Sequence, residues 1–365
     1  MNKMILANLV HRPVRSIISV VAIAVEVTLI LLIVGLSLGM LNDAKNRTVG
    51  IGADLMVQPP GSSNLIAISG APVPIKIADK LREMPHVTVV APVVWQLNTS
   101  GAIEAIYGID LQSFEALRPF QYLSGGPFQG PDDAIVDDYF ATSKNVKVGD
   151  TINILNHDFH VAGIVLNGHG ARKFVPLATL QDLIGAQNKA SVFYLKLDDV
   201  RNVDAVKHEI AAAGMSQYIV RSMAEYLSMM TAGNLPGLSQ FITVVICVAV
   251  IIGFIVIFQA MYTAVMERTR EIGILKSLGA SKLYIVNVIL RETVVLAIGG
   301  IIVGILLSMA ARRGIHAKLP TLPIQIQTDW ILYAILIAIG GAVLGALYPA
   351  FKAAQKDPIE ALAYE

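Results

Sequence analysis

Charge is scarce in this sequence: Asp, Glu, Lys and Arg make up 15% of its 365 residues, against about a quarter in an ordinary soluble domain. The net charge of +1 gives no electrostatic reason to expect nucleic acid as a partner. One cysteine, Cys247, sits inside an apolar run, so no disulfide framework can form within the chain. No GxxxxGK(S/T) phosphate loop occurs, which excludes ATP binding of that kind. HExxH and CxxC are also missing, and Gly168-His169-Gly170 is no nucleophile elbow. With no nucleophile, acid pair or metal set in view, the chain reads as non-catalytic, with no cofactor and no metal.

What is there is apolar. Hydrophobic residues make up 55% of the chain, and the mean hydropathy is +0.62. Four stretches match the roughly 20 apolar residues that cross about 30 Å of hydrocarbon: 16–40, 238–265, 283–311 and 330–351. The first is too long, and lacks the small-residue cleavage site, to be a signal peptide. Basic residues orient the set. Lys3, Arg12 and Arg15 precede the first span; Arg268, Arg270, Lys276 and Lys282 lie between the second and third; Lys352 and Lys356 follow the fourth. All three groups fall on one side if both termini, 1–15 and 352–365, are cytoplasmic. Arg312, Arg313 and Lys318 in the 312–329 loop dissent, and the first two can snorkel to the interface. The expected architecture is therefore a multi-pass protein of the cell (inner) membrane. It has four transmembrane α-helices and a large α+β extracytoplasmic domain, 41–237, inserted between the first and second spans.

Within 41–237, alternating or apolar runs predict strands at 54–58, 87–94, 103–109, 151–155, 159–165, 192–197 and 218–221. Helices are predicted at 75–83, 176–184 and 203–213, the last within a βαβ-type unit. Residues 59–64 read as an exposed loop, Gly125-Gly126-Pro127 with Gly130-Pro131 as a break between two lobes, and 223–235 as a stalk to the second span. His157, His160 and His169 around Asp158 have ligand chemistry for a metal or haem. A polar hairpin tip at Asn156-His157-Asp158 is the favoured reading.

Glu26 is an ionisable side chain in the middle of the first span, which is costly unless paired or hydrated. It either faces a cavity, touching substrate or relaying protons, or is held within the bundle as a structural group, and the second reading is favoured. Gly300 and Gly304 in the third span, and Gly341 and Gly345 in the fourth, have the GxxxG spacing of close helix packing. Arg291 and Glu292 fit interfacial pairing. The charged segment 266–282 separates two long apolar runs. On a helical wheel Ile274, Leu275 and Leu278 share a face that Glu267 and Glu271 extend. Arg268 and Glu271 can pair at i,i+3, and Gly279-Ala280-Ser281 offers a helix stop and restart. From the residues alone, a solvated turn and a docking site for a partner stand level.

Glu267–Ser281, ERTREIGILKSLGAS, closely resembles the signature of FtsX-like, MacB-like ABC transporter permeases, the type VII superfamily that includes MacB and the LolC and LolE membrane subunits. Tyr348-Pro349-Ala350, Ala353-Ala354 and the run from Asp357 to Leu362 are similar to the closing motif of that family. The opening Asn8-Leu9, Arg12 and Arg15 match too, and Ala134–Val136, Val148–Thr151 and Val161–Ile164 are similar to pieces of its periplasmic core domain. The resemblance implies a permease subunit that couples ATP hydrolysis by a separate ATPase chain to mechanotransmission, exporting or extruding a substrate from the outer leaflet or periplasm. Glu267, Arg268, Arg270, Glu271, Ile274, Leu275, Lys276, Leu278 and Gly279 would then form the coupling helix. A second permease copy, identical or related, is expected. A membrane-fusion adaptor or another periplasmic partner is compatible, as are lipoprotein, lipid, peptide, drug or haem substrates. The alternative is an FtsX-type signalling protein that regulates an extracytoplasmic partner such as a cell-wall hydrolase.

Overall fold

The computed structural model describes residues 13–62, 71–98, 104–235 and 237–356. The opening motif residues Asn8, Leu9 and Arg12, the run 357–362, Ile103, and Ser63 and Asn64 of the expected loop lie outside the described residues. The chain divides into two units.

The first unit is helical. Helix α1, Pro13–Gly50, contributes its part up to Gly39. The others are α8 (Leu238–Glu267), α9 (Thr269–Ser277), α10 (Lys282–Lys318) and α11 (Thr328–Gln355). Among the described residues, α1, α8, α10 and α11 are long and apolar enough to cross a membrane. Ile23, Val27, Ile30, Leu31 and Val34 recur every three or four residues and put one stripe of α1 into the bundle core. Ala334, Ala338, Ala342 and Ala346 do the same for α11. In hydrocarbon such faces associate through van der Waals contact rather than by escape from water, so small residues matter most. A Cβ at Gly300 would lie 2.6 Å from the Cβ of Ile23, and one at Gly304 2.8 Å from the Ala24 carbonyl oxygen. One at Gly345 would lie 3.0 Å from the Phe254 carbonyl oxygen. Both glycine pairs predicted to pack closely therefore meet helices of their own chain.

The second unit comprises Met40–Pro236 and Lys318–Pro323. The last part of α1 belongs to it, because the helix runs on past Met40 to Gly50. Asp43 and Arg47 support that extension as an i,i+4 ion pair at 3.1 Å. Its strands in chain order are β1 (Leu55–Gln58), β2 (Val73–Pro74), β3 (Val87–Asn98), β4 (Glu104–Ile109), β5 (Tyr122–Gly125) and β6 (Asp133–Asp137). They continue as β7 (Thr151–Ile154), β8 (His157–Val165), β9 (Lys173–Pro176), β10 (Lys189–Ala190), β11 (Val192–Leu197) and β12 (Ile219–Ser222). Among the described residues six short α-helices join them: α2 (Ile77–Arg82), α3 (Leu111–Leu117), α4 (Asp138–Lys144), α5 (Leu177–Leu183), α6 (Val203–Ile210) and α7 (Met223–Met229).

One sheet runs β12-β1-β11-β3-β4-β9-β6-β8-β5, with β7 on β8. The break at Gly125–Pro131 does not divide lobes as expected: β4 pairs with β9 in parallel and carries the sheet across. The βαβ unit is present, with β1 inserted between its two parallel strands, β11 and β12. Alternation sorts the residues by face. Leu55, Val57, Phe193 and Leu195 join Val206 and Ile210 of α6 in one cluster. Met56, Tyr107, Val192 and Tyr194 join another cluster with Leu41 of α1. Met223, Tyr226 and Met230 are buried in that same cluster, so 223–235 is a packed cover rather than a stalk.

The β7–β8 hairpin turns at Leu155 and Asn156, both with positive φ, one residue earlier than expected. His157 contacts Asp132 at 2.8 Å and His160 contacts the Thr151 hydroxyl at 3.3 Å. His169 is buried, its ring 4.8 Å from that of Phe120. Each of the three has its own neighbours, and no group of three metal-ligating side chains gathers among the described residues.

Candidate functional site

The segment between the second and third spans folds as a short helix with defined ends. Helix α8 stops at Glu267, and the Thr269 hydroxyl donates to the Met266 carbonyl at 2.8 Å as the chain turns into α9. At the other end Gly279 has φ +95°, a conformation glycine adopts without strain. Its N–H donates to the Lys276 carbonyl and the Ala280 N–H to the Leu275 carbonyl, both at 3.0 Å. That pair of bonds is the Schellman stop. The Ser281 hydroxyl then accepts from the Tyr284 N–H at 3.2 Å and starts α10.

The two faces of α9 have different partners. Inward, Ile272 packs with Val265, Ile285 and Val286 and with Ala350, Ala353 and Ala354 of α11. Arg268 is turned inward as well. It meets Glu292 at 3.0 Å, both side chains being largely buried, instead of the expected Glu271. Arg291, beside that glutamate, donates to Asn287 at 3.1 Å. The Lys276 ammonium donates to the Ala354 carbonyl at 3.0 Å and to that of Lys356. Outward, Glu267, Arg270, Glu271, Ile274, Leu278 and Gly279 are exposed, Leu278 at 80%. Leu275 is half-buried at the edge.

Of the expected set, then, Arg268 and Lys276 tie α9 to α10 and α11, while the others present a charged rim around Ile274 and Leu278. A groove of about 350 Å³ opens beside this face, lined by Val265, Arg268, Glu271, Leu275, Tyr284 and Glu292 among others. Glu292 was expected to pair at the interface; what local reasoning missed is its partner, Arg268, which lies across a helix break.

Glu26 is 5% exposed, and its carboxylate fills a notch at Gly253 of α8 and Gly341 of α11. A Cβ at Gly253 would collide with that carboxylate. Thr28, on the same helix, donates to the Ala24 carbonyl at 2.6 Å and to the Gly304 carbonyl at 3.1 Å.

The second unit holds a buried ion-pair centre of its own. Arg172 bridges Asp43 at 2.8 Å and Asp137 at 2.9 Å. Asp137 also accepts from the Phe140 N–H at 2.7 Å, capping α4. Burial pushes its carboxyl up to about 6, against the pull of Arg172 and that N–H.

Two family models match the chain. One, described as the MacB-like periplasmic core domain, covers residues 16–213; the other, the FtsX-like permease C-terminal domain, covers 243–358. The macrolide export ATP-binding/permease protein MacB of Azoarcus is 25% identical over an alignment of 392 residues, covering 96% of this chain and 57% of that protein. An uncharacterized ABC transporter permease of Bacillus subtilis, YknZ, is 44% identical over 121 residues, 32% of this chain and 30% of that one. The chain thus spans little more than half the length, or less, of the curated relatives it matches. The solved periplasmic region of MacB from Actinobacillus actinomycetemcomitans aligns at 15% identity and a TM-score of 0.39, covering 50% of this chain and 94% of that one.

Proposed function

This chain belongs to the family of MacB-like, FtsX-like ABC transporter permeases, and we propose that within it the chain is the non-catalytic membrane subunit of an export system. A separate ATPase chain docks on the outward face of α9. Its nucleotide-driven movement passes into the spans, and substrate leaves from the outer leaflet or the periplasmic side. The carrying observation is the division of α9. Ile274 and Leu278 are offered outward between Glu267, Arg270 and Glu271, while Arg268 and Lys276 are tied into the bundle.

A push on a loosely attached loop would dissipate in the loop. Here it must pass into α10 through the Arg268–Glu292 pair and into α11 through Lys276 and Ile272. Both termini lie on the ATPase side in this reading, and a second permease copy completes the assembly. The exposed Val248, Ile251, Ile252 and Ile255 of α8 give that copy or lipid an apolar surface. Glu26 is read as a packing group, since its carboxylate fills the notch that two glycines leave.

The test is reconstitution with the ATPase chain. Glu271→Lys or Leu275→Asp should cut ATPase co-purification or coupled turnover about tenfold or more, with thermal stability little changed. Unaltered assembly and turnover in both variants would remove the docking role. Coupled ATP hydrolysis that changes an extracytoplasmic partner's activity with no substrate moved would favour transmembrane signalling of the FtsX type.

A further inference from the structure

The inserted unit contains a cavity of about 170 Å³ between one face of its sheet and two covering helices, the last turns of α1 and α7. Its wall includes Arg47, Gln58, Trp95, Tyr107, Tyr194 and Tyr226. We propose that it is a binding site for a small, neutral, one-ring molecule carrying a hydrogen-bond donor, of the phenol class.

Gln58 carries the argument. It ends β1 on the face that Met56 shares, and it is 3% exposed. Among the described residues its amide oxygen has no hydrogen-bond partner. A buried acceptor left unpaired is costly, so such a group at a cavity wall calls for a donor from whatever fills the cavity. The remaining walls favour a flat body. Trp95, Tyr107, Tyr194 and Tyr226 are aromatic, and the hydroxyls of Tyr107 and Tyr194 lie 3.4 Å apart.

Charge is already spent. Arg47 donates to Asp43 at 3.1 Å and to the Gly170 carbonyl at 3.0 Å, and Asp43 also pairs with Arg172. Among the described lining residues an anion or a cation would find no unmatched counter-charge, which leaves a neutral guest. The volume fits one ring, since a cavity of about 150 Å³ accepts benzene.

The chain has two tryptophans, Trp95 and Trp330. Trp330→Phe in the full-length protein in detergent therefore makes Trp95, at the cavity wall, the only indole reporter. Phenol should change its emission saturably, and toluene, the same ring without a donor, should bind about tenfold more weakly. Gln58→Leu should lose about that factor for phenol and leave toluene unweakened, with the thermal unfolding midpoint confirming that the variant folds. No saturable response to phenol would overturn the site. Equal affinity for phenol and toluene in the parent protein would overturn the role of Gln58 without relying on any variant at that position.

Discussion

Arg268 and Glu292 show what one contact must carry. Both are largely buried at the junction of three helices, so removing either breaks a buried ion pair. Such losses cost about 3–5 kcal/mol, far more than an exposed pair. Arg268→Ala should lower the unfolding midpoint in detergent sharply. The double variant Arg268→Met, Glu292→Gln should lose clearly less than the two single losses added. Asp137 makes a pH-dependent prediction in the other unit. Its carboxyl titrates at about 6 when folded, against 3.8 ordinarily, so the folded chain holds the proton more tightly than the unfolded chain. This group therefore favours folding most below pH about 4, by about 3 kcal/mol, and the advantage is lost as pH rises through about 6. Asp137→Asn stays neutral throughout. Relative to that variant, the parent's unfolding midpoint should fall between pH 4 and 6, and parallel profiles would contradict the assignment.

At the level of elements, the glycines set how near the helices stand. Gly300→Val or Gly304→Val would drive a side chain into Ile23 or the Ala24 carbonyl, at about 1–3 kcal/mol from overpacking. Thermal unfolding of the two variants checks this, and no loss in either would mean that α1 can move away freely. The spans and the helix stop at Gly279 were legible in the sequence because apolar length and a left-handed glycine are local signals. The inward turn of Arg268 and Lys276 was not, since their partners, Glu292 and the Ala354 carbonyl, reach them only through tertiary packing. Strands were legible where alternation was clean. Helices α3 and α4 went unread, being short and held by Asp110 and Asp137 at their N-caps. Gln58 reads from sequence as the polar end of a strand. Only the helices laid over that face turn it into a buried acceptor.

For the whole molecule, the prediction concerns where ATP is consumed. The proposed division between this chain and a separate ATPase predicts that these 365 residues, which contain no phosphate loop, show no ATP hydrolysis until that proposed partner is added. Turnover by the chain alone would overturn that division of labour. The order of strands carries a consequence for synthesis. Asp54, at the head of β1, accepts from the backbone of Leu197, 143 residues further along, and β12 is made later still. A ribosome adding about 5–20 residues per second needs on the order of ten seconds to supply that partner. Throughout that interval β1 emerges with both edges bare, so the newborn chain is most open to mispairing before its own later strands arrive.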